Sequence, residues 1–115
     1  MAKNHEKLAD LLMQAGLKRN VAKALAYIYG KEEAISSQIE AATGLRQPEV
    51  SIAMQWLREK GWVTKRDIKK EGKGRPVHGY RLAKPFKEIV AELQKNLEKE
   101  KKKIDEIIKE LEKYK

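Results

Sequence analysis

The sequence predicts a mainly α-helical fold with one small β-hairpin. Apolar residues recur every three to four positions in five segments, which is the spacing of one buried helix face. Only residues 62–82 depart from it, with two strand-like runs on either side of a basic loop that contains glycine. At 115 residues, of which 41% are hydrophobic, the chain has the size and composition of one folded domain.

The first predicted helix covers residues 4–15 and is ended by Gly16. Its apolar positions are Leu8, Leu11, Leu12 and Ala15. The second helix begins at about Lys18 or Asn20 and stops at Gly30. Its apolar positions are Val21, Ala24, Leu25 and Ile28. Both patterns indicate amphipathic helices that contribute one face to the core.

A short third helix follows Ile35. Ser36 or Ser37 is its expected N-cap, and Ser37 and Glu40 have the spacing of a capping box. Gly44 ends the helix, and a tight turn leads directly into the next one.

The fourth helix has Pro48 in its first turn, where the missing N–H of proline costs nothing. Gly61 ends it. Its buried stripe is predicted to consist of Val50, Ala53, Met54 and Leu57. We then expect strands at 62–68 and 77–82, joined by the loop 69–76. Helix, tight turn, helix and basic hairpin is the order of a winged helix-turn-helix, which we expect to occupy residues 1–84. Residues 62–84 are called the wing below.

Residues 85–115 are predicted to form a separate long helix of about 30 residues that begins at Pro85. Its apolar residues alternate between spacings of four and three, as in a coiled coil, with Glu100 as an interruption. The predicted dimerisation residues are Phe86, Val90, Leu93, Leu97, Ile104, Ile107 and Leu111. The expected partner is a second copy of the chain, in parallel or antiparallel orientation. The alternative is a helix that packs on its own domain.

The net charge of +9 is concentrated in one part of the chain. Residues 44–84 contain eleven Lys and Arg against four Asp and Glu, whereas the segments before and after them are each close to neutral. The wing alone carries a charge of +6. A focused positive charge favours the binding of a polyanion, and nucleic acid is therefore the predicted partner.

Several motifs carry a family resemblance. They are SQIEAATGL at 37–45, QPEVS at 47–51, LREKGWV at 57–63, GKGRP at 72–76 and YRL at 80–82. Together they resemble the DNA-binding half of archaeal TrmB-like regulators, within the MarR/ArsR-type winged-helix group, over about residues 8–84. The resemblance implies a transcriptional regulator that binds double-stranded DNA. The operator, the direction of regulation and any small-molecule effector stay open.

In such a fold the fourth helix is the recognition helix, which enters the major groove. Gln47 and Gln55 are suited to pair with adenine, and Arg46 to read guanine or bind phosphate. Ile52 is suited to contact a thymine methyl group, although packing of Ile52 and Trp56 against the wing or a partner is an equal alternative. The predicted DNA contacts of this helix are Arg46, Gln47, Glu49, Ser51, Ile52 and Gln55.

The wing supplies the second set of predicted DNA contacts. These are Lys65, Arg66, Lys69, Lys70, Lys73, Arg75, His78 and Arg81. The segment Gly74-Arg75-Pro76 resembles the core of AT-hooks, in which an arginine lies along a narrow A·T minor groove. Lys73 stands where that motif has arginine. A solvated hairpin tip is the alternative.

Other function classes lack the residues that they need. There is no cysteine, and the two histidines have no carboxylate or thiolate neighbours with metal-ligand spacing. No nucleophile–base set or phosphate-binding loop appears, so we expect no enzymatic activity, metal or cofactor. No apolar run approaches the ~20 residues of a membrane span, and no signal-peptide pattern is present, so we expect a cytoplasmic protein without a membrane partner.

Two other functions fit the same charge and fold. One is a chromatin or architectural protein that binds DNA without sequence preference. The other is a winged-helix module that binds a different protein through Ile52, Trp56 or the last helix.

Overall fold

The computed structural model describes residues 2–68 and 77–115, with side chains from residue 5 onward. Its helices are α1 (Ala2–Gln14), α2 (Arg19–Ile28), α3 (Ser36–Thr43), α4 (Gln47–Glu59) and α5 (Phe86–Glu112). Its strands are β1 (Ala34–Ile35), β2 (Val63–Ile68) and β3 (Val77–Leu82). The predicted fold class is confirmed: a mainly helical winged helix-turn-helix is followed by one long helix.

The strands form one antiparallel sheet in the order β1-β3-β2. Tyr80 of β3 pairs with Ala34 of β1 on one side and with Lys65 of β2 on the other. The sequence predicted only the hairpin, because a two-residue strand is too short to show an alternation of polar and apolar residues. β1 joins the segment before α3 to the wing, and so holds the wing against the helix-turn-helix.

The core lies between the first four helices and the inner face of the sheet. The predicted stripe of α4 is confirmed, since Val50, Ala53, Met54 and Leu57 are all buried. In α1 the phase differs slightly from the prediction, because Ala9 and Leu12 are buried whereas Leu11 is exposed. Trp62, at the base of the wing, is the largest fully buried side chain.

The start of α3 differs from the predicted serine cap. The helix begins at Ser36, and the backbone N–H of Ile35 donates a hydrogen bond of 3.0 Å to Oε1 of Gln38. Gln38 therefore takes the capping-box role that the sequence assigned to Glu40, and the box lies two residues closer to the N-terminus than predicted. Gly44 ends α3 with a φ of 76°, a left-handed conformation that favours glycine.

The first turns of α5 pack on the same chain. Ile89 and Leu93 are buried, and the ring of Phe86 lies 4.6 Å from that of Tyr29 between centroids. Leu93 was assigned to the contact between copies; it is instead buried in its own chain. Phe86 likewise packs within its own chain, and Val90 is half-buried. The alternative of self-packing is therefore correct for this part of the helix.

The rest of α5 extends beyond the domain. The radius of gyration is 17.8 Å, against about 13 Å for a compact chain of this length. The long dimension is 72 Å and the two short ones are 24 Å. The predicted seam residues Leu97, Ile104, Ile107 and Leu111 are exposed on this extension. Within the described ranges, none of the helices has the length and apolar character that crossing a membrane requires.

Candidate nucleic-acid interface

The outer face of α4, opposite its buried stripe, consists mainly of exposed polar residues. Gln47, Ser51 and Gln55 are exposed, and Ile52 is 69% exposed. Arg46, directly before the helix, is exposed at the same end. The N-terminal end of α4 lies at the surface, since Arg46, Gln47 and Pro48 are all exposed. Five of the six residues predicted on or beside this helix thus form one accessible surface.

Glu49 is engaged in the start of α4. Its Oε1 accepts a hydrogen bond of 2.8 Å from the backbone N–H of Arg46, and the side chain is half-buried. A carboxylate in the first turn satisfies a free N–H group and is favoured by the helix dipole. The predicted DNA contact by Glu49 gains no support from this geometry, in which Glu49 positions the N-terminus of α4.

Ile52 borders a shallow groove between α4 and the N-terminal end of α2. Two exposed cations, Lys18 and Arg19, lie on the far side of this groove. The sequence prediction omitted both, because they precede the helix-turn-helix by about 20 residues. They extend the positive surface beside α4.

Trp56 packs against the base of the wing. Its ring meets that of Trp62 edge to face, with centroids 5.7 Å apart and an angle of 80°. Lys60 Nζ lies 5.6 Å from both ring centroids. For Trp56, the predicted alternative of packing against the wing is therefore correct. Of these two apolar residues, Ile52 alone is exposed on the outer face of α4.

Arg58 is a cation of α4 that the prediction missed. It is exposed and follows Ser51 by seven residues, which places both on one side of the helix. Burial raises the pKa of Tyr80, while a hydrogen bond with Ser36 and the charge of Arg58 act in the opposite direction. Arg58 thus lies near the wing strand that carries Tyr80. The spacing of seven residues from Ser51 is the sequence signal by which Arg58 could have been added to the predicted contacts.

The two faces of the wing carry different cations. Lys65 lies opposite Tyr80 in the sheet, and so shares the face that is turned towards α3 and α4. Arg66 lies opposite Gly79, and Arg81 is on the same face of the sheet, which is turned away from α3 and α4 and is called the outer face of the wing. The sequence predicted DNA contacts by all three side chains. Of the three, only Lys65 lies on the face of the wing that is turned towards α4.

Arg66 is held by Glu33, from the segment before β1. Its Nε and Nη2 donate hydrogen bonds of 2.7 and 2.9 Å to the two carboxylate oxygens. The pair passes over Gly79, where an added Cβ would lie 2.9 Å from Glu33 Oε2. The guanidinium of Arg66 lowers the pKa of Glu33, with a smaller contribution from Arg81. The predicted DNA contact by Arg66 thus competes with a bidentate ion pair inside the chain.

His78 also has a partner within the wing. Its Nδ1 lies 2.9 Å from Oδ1 of Asp67, its direct neighbour across the β2–β3 ladder. The nearby carboxylate makes this ring a poorer phosphate ligand than the sequence suggested. Four predicted contacts at the tip of the wing, Lys69, Lys70, Lys73 and Arg75, lie outside the described residues.

Glu92 connects α5 to the base of the wing. Its Oε1 accepts a hydrogen bond of 3.1 Å from the indole N–H of Trp62. Lys60 Nζ and Lys84 Nζ each lie 3.8 Å from its carboxylate. Since Trp62 also contacts Trp56 of α4, the long helix, the wing and the recognition helix share one packed junction.

Solved structures of low sequence identity share this fold. A transcriptional regulator is 18% identical, with a TM-score of 0.56, over 72% of this chain and 54% of its own. TrmBL2, an archaeal chromatin protein with a novel mode of DNA binding, is 16% identical, with a TM-score of 0.57, over 93% of this chain and 40% of its own. Reduced HlyU from Vibrio cholerae N16961 is 21% identical, with a TM-score of 0.50, over 83% of this chain and 93% of its own.

The chain therefore spans about half or less of the first two of these proteins. Identities this low establish the shared fold alone. No curated protein sequence matches the chain. Residues 15–74, more than half of the sequence, match the profile of the MarR family and contain the whole helix-turn-helix. On this match, the chain belongs to the MarR family.

Proposed function

We propose that the chain is a homodimeric transcriptional regulator that binds specific sequences in double-stranded DNA. The outer face of α4 is the observation that carries the proposal. Gln55 is exposed opposite a fully buried stripe, and Gln47 and Ser51 are exposed in the N-terminal half of the helix, as expected of a helix that enters the major groove with its N-terminal end. Membership in the MarR family and the charge of residues 44–84 support it independently. Within the family, the motifs favour the archaeal TrmB-like regulators.

The cations beside α4 supply the phosphate contacts in this proposal. Arg46 lies at the N-terminal end of the helix, Arg58 towards its C-terminal end and Lys65 on the neighbouring strand. Lysine and arginine contacts with phosphate fix the orientation of the helix, whereas glutamine amides can read base edges. The wing would then approach the adjacent minor groove through Arg75, a role that rests on the sequence of the GKGRP segment.

Competition binding tests the proposal. A labelled duplex, obtained by selection from a random DNA library, is titrated with the protein and then displaced by unlabelled random duplex. We expect a preference for the selected site of roughly 10³-fold or more. Gln55→Ala should reduce this preference, whereas Lys95→Ala, on the exposed side of α5, should leave it unchanged. A protein that binds no duplex at any salt concentration contradicts the proposal.

A chromatin protein without sequence preference is the second candidate. It is favoured by the fold shared with TrmBL2, which extends over 93% of this chain and so includes α5. The same competition separates the two candidates, because a chromatin protein binds selected and random duplexes with similar affinity. Its affinity would still fall steeply with salt, since both candidates neutralise phosphates.

A further inference from the structure

The distal segment of α5 and the turn that directly follows it, residues 97–114, carry an apolar stripe; both are called the distal segment of α5 below. Leu97, Ile104, Ile107, Ile108 and Leu111 are between 40% and 63% exposed, and Tyr114 is 83% exposed. A row of large aliphatic side chains on one side of a helix is expected to be covered in the functional state.

The stripe continues the face by which α5 packs on its own domain. At about 100° per residue, Ile89, Leu93, Ile104 and Leu111 fall within about 60° of one another around the helix. Ile89 and Leu93 are buried under the domain, whereas Ile104 and Leu111 are exposed. The domain and the uncovered stripe are therefore on the same side of α5.

This arrangement restricts how a second copy can pair. Two helices packed together stand about 8–10 Å apart. In a parallel pair whose stripes face each other, the two domains would lie at the same height along the helix axes. Both domains would then have to occupy the space between the two helices. The molecule is 24 Å wide, so the two domains would collide before the helices met along their length. In an antiparallel pair the domains lie at opposite ends, and each distal segment is free to face the other.

Charge complementarity favours the same orientation. A parallel seam would place Glu100 against Glu100 of the second copy, two buried like charges. An antiparallel seam instead places Glu100 beside Leu111, and forms the layers Leu97–Tyr114 and Ile104–Ile107 between copies. On the flank it places Lys103 opposite Glu110, twice by symmetry, and thus adds two pairs of opposite charge.

We propose that the distal segments of α5 from two copies pair in antiparallel orientation. This inference rests on the homodimer of the proposed function and specifies its geometry. Leu97 of each copy then meets Tyr114 of the other. The two Ile89 residues, which mark where each domain is attached, stand about 50 Å apart along the helix axis at 1.5 Å per residue.

Disulfide trapping tests this orientation, because the natural sequence has no cysteine. The variant that combines Leu97→Cys and Tyr114→Cys should form a covalent dimer under mild oxidation. Either substitution alone should form none, since equal positions lie about 25 Å apart in the antiparallel pair and a disulfide needs about 4–7 Å between Cα atoms. Ready cross-linking of both single variants would establish a parallel pair and overturn the inference.

A charge exchange provides a second test that needs no new cysteine. Lys103→Glu should weaken the dimer about tenfold, because two attractive pairs become repulsive. The double variant Lys103→Glu, Glu110→Lys should recover most of that loss. Lys95→Glu, the same charge change on the far side of α5, serves as the control. The dimer dissociation constant is measured by sedimentation equilibrium, and equal effects of Lys103→Glu and Lys95→Glu overturn the inference.

Sedimentation of the natural chain separates this inference from the proposed function. A monomer at all accessible concentrations would contradict the homodimer itself, and with it the antiparallel pair. A dimer that is trapped in parallel orientation would overturn the inference alone and leave DNA binding by a homodimer intact.

Discussion

Lys65 and Arg66 are adjacent cations of β2, and they should contribute unequally to DNA binding. Lys65 lies on the face that is turned towards α4. Within the described residues, no carboxylate lies within 4.0 Å of its ammonium group. Arg66 lies on the outer face, and both carboxylate oxygens of Glu33 hold its guanidinium. We therefore predict that Lys65→Ala weakens DNA binding substantially and that Arg66→Ala has little effect.

The size of the difference follows from counterion release. One lost phosphate contact reduces the slope of log K against log salt concentration by about 0.9. At about 0.1 M salt this corresponds to a loss of affinity of roughly eightfold. Lys65→Ala should show this loss and the reduced slope, whereas Arg66→Ala should change affinity less than about twofold, because its charge is already neutralised by Glu33.

Fluorescence anisotropy over a series of salt concentrations measures both quantities. Glu33→Gln should release Arg66 and make Arg66→Ala costly in that background. Glu32→Gln, which neutralises the exposed neighbouring carboxylate, controls for the change in net charge. If Arg66→Ala costs as much affinity as Lys65→Ala in the natural background, the ion pair with Glu33 does not withhold Arg66 from DNA, and the reasoning is refuted.

Three further predictions concern stability. Met54→Ala should cost about 2–5 kcal/mol in urea unfolding, because it opens a cavity in the core, whereas Ile52→Ala on the outer face should cost less than about 0.5 kcal/mol. Trp62→Phe should lower the free energy of unfolding by about 2 kcal/mol, since it removes the indole N–H that donates a hydrogen bond to Glu92. An unchanged unfolding midpoint would exclude that junction as a stabilising contact. The lowered pKa of Glu33 implies stability that is complete above its ordinary value of 4.5 and lost as pH falls through the lower folded value. Glu33→Gln should flatten this acid limb of the pH–stability curve.

The elements that the sequence predicted well are those with local signals. The buried stripe of α4 follows from the period of 3.6 residues, and the strands of the wing follow from alternation and from the glycines between them. The outer face of α4 was predictable for the same reason, since it is the opposite side of that stripe. Arg58 could have been found by extending the same helical wheel by two turns.

The features that the sequence did not predict depend on contacts between distant residues. Glu33 and Arg66 are 33 positions apart, and Trp62 and Glu92 are 30 apart. Nothing in a local pattern indicates that β1 brings Glu33 over Gly79, or that α5 returns to the wing. The assignment of Leu93 to the contact between copies failed similarly, because a heptad pattern does not show which partner covers it.

Selection of bound sequences from a random DNA library, with the natural protein and with Gln55→Ala in parallel, tests sequence-specific reading by α4 most directly. We predict that the natural protein enriches a motif with two related half-sites, and that Gln55→Ala loses the preference at one position of each half-site while the rest of the motif persists. Enrichment of no motif, or of the same motif by both proteins at every position, would contradict the assignment of the outer face of α4 as the surface that reads DNA.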